Sequence, residues 1–248
     1  MRQPEQWTES KYVRRAGRWI GSRDPRQLGV GSRLIADLTA ALYAEHLPLH
    51  VSGRLIDLGC GQVPLYGMYR ERADTVTCVD WPQSVHASRH LDRTVDLNAV
   101  LPFDDAGFDT IVLSDVLEHL AEPALLWREM ARVLAPGGRL LLNTPFLYGI
   151  HEAPHDYARH TGFGLRRLAE QARLEVLVLQ PMGGSLHVMA DLLAKHLAAL
   201  PGLGHSLAQV AQAAVAGLDR TRLGQRIAAR TGSRFTLGHF MVATRPRP

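Results

Sequence analysis

Apolar positions recur at helical spacing in residues 34–47, "LIADLTAALYAEHL", and the run stops before Pro48, so an amphipathic helix is expected there. A different rhythm follows. "RLIDL" (54–58) reads as a buried strand, "PLYGMYRER" (64–72) as a short helix, "TVTCVD" (75–80) as a second strand and "RTVDL" (93–97) as a brief third. "FDTIVLSDV" (108–116) is a fourth strand, "PALLWREMARVL" (123–134) an amphipathic helix with Pro123 in its first turn, and "GGRLLLNTP" (137–145) a fifth strand. Thr161 can cap the helix "GFGLRRLAEQAR", and "LEVLVLQPMGG" is a sixth strand. Strand and helix in strict alternation imply an α/β fold with a parallel, doubly wound sheet.

The alternation breaks at residues 185–230, which are rich in Ala and Leu with helical periodicity and are interrupted by "PGLGH" at 201–205. Two helices are expected there, inserted before a final strand in "RFTLGHFMVATRP". The chain therefore divides into a basic segment and helix (1–50), a ligand-binding core (51–184), a helical insertion (185–230), and a last strand with a basic tail (231–248). The insertion could be a substrate lid, a homodimer face or a peripheral membrane contact.

Composition narrows this picture only in places. With 248 residues, 46% of them hydrophobic, the chain can bury a sizeable core. No run approaches the roughly 18–20 apolar residues of a membrane-spanning helix, and the start lacks the apolar region of a secretory signal, which points to the cytoplasm. Cys60 and Cys78 are too few and scattered for a disulfide framework, and both are expected to be reduced and non-catalytic. Residues 1–33 hold eight basic against three acidic residues, and residues 218–248 seven against one, on a net acidic body. Neither end interleaves aromatic residues with its arginines, so no nucleic-acid partner is expected.

In an open parallel sheet the ligand sits beyond the carboxyl ends of the strands, where "RLIDLGCGQVPLYG" places a glycine turn. Gly59 and Gly61 permit close backbone approach. Pro64 stands where a dinucleotide fingerprint has its third glycine, and it removes a donor that a phosphate would use. Asp57 adds a carboxylate that would repel a pyrophosphate and suit an ammonium or sulfonium group. Asp80, ending the second strand, can accept from ribose hydroxyls, Trp81 can cover an adenine face, and Asp96 can accept from an exocyclic amine. The ligand so described carries adenosine and positive charge but no phosphate.

With "LIDLGCG", "CVDW", "VDLNAVLPFDDAGFDTIVLSDVLEHL" and "LLWREMARVLAPGGRLLLNTP" in this order over residues 54–145, the chain resembles the class I S-adenosylmethionine-dependent methyltransferases. The resemblance implies a Rossmann-like, seven-stranded, mostly parallel sheet whose last strand is antiparallel. It implies S-adenosyl-L-methionine as cofactor, its methionine end at Gly59, Cys60 and Gly61, its ribose at Asp80 and its adenine near Asp96 and Leu97. Ser114, at the carboxyl end of the fourth strand, is a further cofactor contact.

The acceptor side is expected beyond the fourth and fifth strands, where His119 stands in "LEHL" and "FLYGIHEAPHDYARHTGFGLRRL" begins. Methyl transfer needs alignment first, and a general base only for a protonated acceptor such as a hydroxyl. His151 is the first candidate for that base or for a substrate contact, then His155, with His119 behind them and Tyr157 lining the acceptor pocket. The same loop also reads as purely structural, with Asp156 paired to Arg159 over a packed Tyr157. "HEAPH" matches the H-E-x-x-H string of zinc proteases, but Pro154 disfavours the helix that string requires and spacing supplies no third ligand, so no metal is expected.

The reading that results is methyl transfer to a small-molecule or glycan acceptor, most plausibly on oxygen. A nicotinamide-dependent oxidoreductase and a non-catalytic scaffold protein are its rivals.

Overall fold

The computed structural model describes residues 1–84 and 88–247. Its main sheet has seven strands: β3 (Arg54–Leu58), β4 (Thr75–Asp80), β5 (Arg93–Thr94), β6 (Phe108–Ser114), β7 (Leu134–Pro145), β8 (Glu175–Pro181) and β9 (Gly238–Thr244). Their order across the sheet is β5-β4-β3-β6-β7-β9-β8, and β9 alone runs opposite to the other six. The order of crossover reverses between β3 and β6, which makes the space beyond their carboxyl ends the ligand position of a doubly wound sheet.

Side-chain alternation along the strands splits the core in two. Ile56, Leu58, Ile111, Leu113, Leu140 and Met241 face one layer, which contains Trp127 and Met130 of α3 (Pro123–Val133) and Leu165 of α4 (Gly162–Gln171). Leu55, Val112, Leu141 and Phe240 face the other, under Tyr43 and Leu47 of α1 (Arg33–His50). Thr161 caps α4 by accepting from Gly164 N at 3.0 Å.

Several boundaries depart from expectation. The helix α1 runs through Pro48 to His50, because a proline so near the end removes only one donor while His46 and Leu47 remain buried. Helix α2 (Tyr66–Tyr69) is shorter than 64–72, and β5 keeps only two residues. Asp92 Oδ2 accepts from Cys78 N at 2.8 Å in place of a ladder bond, and Val95 and Leu97 turn into the core. The insertion holds three helices: α5 (Ser185–Ala198), α6 (Gly204–Leu218) and α7 (Arg222–Thr231). Thr221 separates the last two, accepting from Gly224 N at 3.1 Å as the cap of α7.

The basic N-terminal segment is also more ordered than its charge suggests. Strands β1 (Tyr12–Arg15) and β2 (Arg18–Gly21) form a hairpin about Ala16 and Gly17, both at positive φ, as a tight two-residue turn requires. Its arginines stay exposed, while Tyr12 is buried and Trp7 Nε1 donates to Val63 O at 3.0 Å. The segment thereby lies over the glycine turn. Val30 packs with Ala194 and Ala208, and Gln212 bonds Val30 O and Leu34 N at 2.8 Å each, tying the insertion to the same segment. No helix among the described residues is long and apolar enough to cross a membrane.

Candidate active site

The turn after β3 is fixed by backbone. Gly59 N and Cys60 N both donate to Val79 O, at 2.9 and 3.0 Å, which ties the turn to the end of β4. Gly59 takes φ +70°, and a Cβ there would stand 2.4 Å from Val116 Cγ2, so no other residue fits. Asp80 reaches across from β4: Oδ2 accepts from Gly61 N at 3.2 Å and Oδ1 from Trp81 N at 2.9 Å.

A cavity of about 460 Å³ opens beyond these strands, and all nine residues expected at the cofactor line it. Asp57 forms its floor. It is 3% exposed, accepts from Tyr69 Oη at 2.8 Å, and burial pushes its carboxyl up to about 7 against that hydrogen bond. A cationic group arriving beside it would restore the ionised form. Asp96 is exposed at the rim and accepts from Asn98 N at 2.8 Å, while Leu97 is buried beside it. Ser114 Oγ donates to Asn143 Oδ1 at 2.7 Å, the oxygen that also accepts from Tyr43 Oη at 2.9 Å. Cys60 and Cys78 are free and buried.

Two further cavity residues carry charge that the sequence reading does not assign to the site. Asp115 holds φ +53°, uncommon for a residue with a side chain, and Asn143 Nδ2 donates to its Oδ1. Lys11 Nζ lies 2.9 Å from Asp115 Oδ2, so the N-terminal segment supplies a cation to the cavity wall. That carboxylate holds the ammonium charged although burial opposes it. One signal for this pairing was available, since Lys11 is one of only two lysines in an arginine-rich chain.

On the far wall stand His119 and His155. His155 meets the Trp81 ring edge-on at 4.9 Å between centroids, and its Nδ1 is 2.8 Å from Tyr157 Oη. Tyr157 itself is 53% exposed and does not line the cavity, contrary to the packed position expected of it. Nor does His151 line it. Its backbone N donates to Asp156 Oδ2 at 2.9 Å, and its ring packs edge-on to His119 at 4.8 Å, turned toward Glu118. Asp156 is held by Arg159 through a two-pronged pair, with Arg159 Nη2 at 2.7 Å from Oδ2, which keeps its carboxyl well below the ordinary range. Residues 151–155 are not helical. The loop is thus both a braced structure and a wall of the cavity.

Glu118 lies beneath these histidines and is fully buried. Its Oε2 accepts from Thr144 Oγ1 at 3.2 Å, burial raises its carboxyl above the ordinary range, and its Oε1, 3.5 Å from His151 Nε2, raises that imidazole in turn.

Comparison with known proteins bears on the fold and the family. A family profile described as a methyltransferase domain matches residues 56–142. The chain is 28% identical over 205 residues to the 27-O-demethylrifamycin SV methyltransferase of Amycolatopsis mediterranei, covering 63% of this chain and 75% of that relative. It is 32% identical over 145 residues to the ubiquinone biosynthesis O-methyltransferase of Xanthomonas euvesicatoria pv. vesicatoria, covering 54% of this chain and 59% of the relative. Other ubiquinone relatives are matched over 42% to 49% of their length. Among solved structures, the cyclase SpnF superposes with a TM-score of 0.55 at 22% identity, over 97% of this chain and 87% of SpnF. A geranyl diphosphate methyltransferase in complex with S-adenosylmethionine superposes with a TM-score of 0.54 at 18% identity, over 90% of this chain and 93% of that one. At such identities the superpositions show a shared fold.

Proposed function

We propose that this chain, which belongs to the class I S-adenosylmethionine-dependent methyltransferases, moves a methyl group from S-adenosyl-L-methionine to an oxygen of a small-molecule or glycan acceptor. The observation that carries the reading is one cavity lined by three carboxylates, Asp57 at its floor, Asp80 against the glycine turn and Asp96 at the rim, with Pro64 in the segment after that turn. Such a floor favours a cationic adenosyl ligand and disfavours a pyrophosphate. Oxygen is favoured because the rifamycin and ubiquinone relatives are both named for methylation at oxygen.

In this reading Gly59, Cys60 and Gly61 receive the methionine end, Asp57 faces its ammonium group, and Asp80 accepts from the ribose hydroxyls. Trp81, Asp96, Leu97 and Ser114 complete the cofactor side. The acceptor oxygen attacks the methyl carbon as the carbon–sulfur bond breaks, and the sulfonium leaves as a neutral thioether, so alignment supplies most of the catalysis. A hydroxyl acceptor also gives up a proton. His155, on the cavity wall between Trp81 and Tyr157, takes the place that the sequence gives first to His151, because His151 is turned away toward Glu118.

Calorimetry with S-adenosylhomocysteine and, separately, with NAD tests the cofactor. Saturable binding of the first alone is expected, and binding of NAD alone would sink the reading. Transfer of labelled methyl to a panel of hydroxylated metabolites and sugar nucleotides tests the reaction. If S-adenosylhomocysteine binds and no hydroxyl compound is labelled, the scaffold reading stands instead.

A further inference from the structure

Behind the cavity wall, three side chains from two distant stretches of sequence bring lone pairs to one point. Glu118 and His119 come from the short helical turn Leu117–His119 after β6, and His151 from the loop after β7. Glu118 Oε1 lies 3.5 Å from His151 Nε2 and 3.7 Å from His119 Nε2, and all three atoms fall within 4.8 Å of one another. Two donors bound to one ion at about 2.1 Å stand about 3.4 Å apart at the tetrahedral angle. The two distances from Glu118 are near that value, and a small rotation of the partly exposed His151 ring would bring the two histidine nitrogens to it.

The hydrogen bonds around the cluster set what these atoms are. His119 Nδ1 meets His155 O at 2.6 Å, and only an N–H can bond a carbonyl, so His119 carries its proton on Nδ1 and its Nε2 is a free lone pair in the neutral ring. His151 Nδ1 lies 3.4 Å from both Gly149 O and Asp156 Oδ2, two acceptors that place its proton on Nδ1 as well. A backbone carbonyl and a carboxylate behind the ring nitrogen are the outer partners that metal-binding histidines use. Meanwhile Glu118 Oε1 and His119 Nε2 are buried without a hydrogen-bond partner. With both rings neutral, three acceptors converge with no donor among them, an arrangement that costs free energy unless a cation, either a proton shared between His151 and Glu118 or a metal ion, sits there.

We propose that Glu118, His119 and His151 form a binding site for one divalent transition-metal ion beside the acceptor side of the cavity. Two imidazoles and one carboxylate suit borderline ions such as Zn²⁺, Co²⁺, Mn²⁺ or Fe²⁺ and leave coordination positions for water or substrate. His151 and His119 are 28% and 15% exposed at the side chain and Glu118 is fully enclosed, so any free position lies on the histidine side. The spacing of "HEAPH" conceals this site: only His151 of that string takes part, and the other ligands lie more than thirty residues earlier. If the methyltransferase reading holds, an acceptor hydroxyl on this ion would be more acidic, so it would lose its proton to His155 or water more readily before attacking the methyl group.

The full-length protein, stripped with a chelator, is titrated with ZnCl₂ by calorimetry and with CoCl₂ by visible absorption. One ion per chain is expected, with micromolar or tighter affinity and a d–d spectrum of low-symmetry cobalt. His151→Ala and His119→Ala should each weaken binding about tenfold or more. Glu118→Gln is read alongside its melting curve, since the site is buried, and the partly exposed His151 carries the test if that variant fails to fold. No binding by Zn²⁺ or Co²⁺, or binding that both histidine variants leave unchanged, overturns the proposal, because a shared proton or other histidines then account for the data. Calorimetry with S-adenosylhomocysteine on the same samples separates the two readings. Metal binding without cofactor binding would reject methyl transfer alone, and cofactor binding without metal would reject this site alone.

Discussion

The two walls of the cavity are built on different principles. The wall proposed for the cofactor is local and backbone-made: Gly59, Cys60 and Gly61 follow β3 directly, and Asp80, which reaches Gly61 N, ends the strand beside it. The histidine wall presents His119, after β6, and His155, after β7, with Glu118 and His151 packed behind it, and contacts between the two loops do the bracing. The contrast implies a division of labour. A backbone-made wall binds one ligand that hardly varies, while a side-chain wall on loops can be rebuilt for a new acceptor without disturbing the sheet. SpnF, a cyclase with the same fold, shows that the sheet itself does not decide the chemistry.

If the walls are separable, substitutions should split affinity for the cofactor from turnover. The largest effect is expected from Gly59→Ala, because a methyl there would meet Val116 Cγ2 at 2.4 Å on a backbone at φ +70°. Left-handed backbone alone costs about 1–2 kcal/mol for a residue with a side chain, and the clash adds to it. Calorimetry should register at least a hundredfold loss of S-adenosylhomocysteine affinity in a protein that still folds by circular dichroism, and a loss under threefold would show that the turn is not the binding wall. Next comes His155→Ala, whose backbone carbonyl still holds His119. It should lower kcat about a hundredfold, near the low end for a lost proton acceptor. The cofactor Kd should stay within threefold, and an affinity that falls in step with kcat would erase the distinction between the walls.

A smaller, graded effect is expected from pH. Burial raises the Asp57 carboxyl to about 7, so near neutrality a proton competes with the ligand's ammonium group for this side chain. Affinity for S-adenosylhomocysteine should therefore fall as pH drops from 8 to 6, by up to about tenfold per unit below the titration point. Asp57→Asn should flatten that slope. Without ligand the sign reverses for stability. A carboxyl whose folded pKa is raised contributes stability that is fully present below its unfolded value and is lost as pH rises from about 4 through 7, so the melting temperature of the ligand-free protein should decline across that window and level off above it, while the Asn variant lacks this decline.

The same division explains what was legible in the sequence. The succession of strands could be read, and the nine positions expected at the cofactor fall on one cavity, because each depends on a short contiguous pattern: a buried strand, a glycine turn, an acid at a strand end. The N-terminal hairpin was hidden by its arginines, which are exposed as their charge suggests, while Tyr12, Trp7 before it and the bond from Gly21 N to Asp37 Oδ1 of α1 anchor it. The third helix of the insertion was hidden because a single threonine cap, Thr221, divides what periodicity joins. The turn of His151 toward Glu118 was beyond reach for a different reason. It depends on the distance between two loops, and no local spacing carries that information.

The least effect is expected at Pro64, the residue that most sharply separates this turn from a dinucleotide site. Val63, just before it, holds φ +53° and donates to Cys60 O at 2.7 Å, so the turn closes on backbone geometry that Pro64 does not itself make. Pro64→Gly restores a donor at the helix entrance and loosens the unfolded chain, costing about 0.4–1 kcal/mol in stability. Yet the carboxylates of Asp57 and Asp80 remain on the same cavity, and they oppose a pyrophosphate whatever residue follows Val63. The variant should therefore bind S-adenosylhomocysteine within threefold of the parent and still bind no NAD by calorimetry. If the single exchange admitted NAD, the proline would be the discriminator and the acidic floor only its accompaniment. If NAD is still refused, selectivity resides in the charge of the floor, and the proline is a consequence of a turn that never had a phosphate to hold.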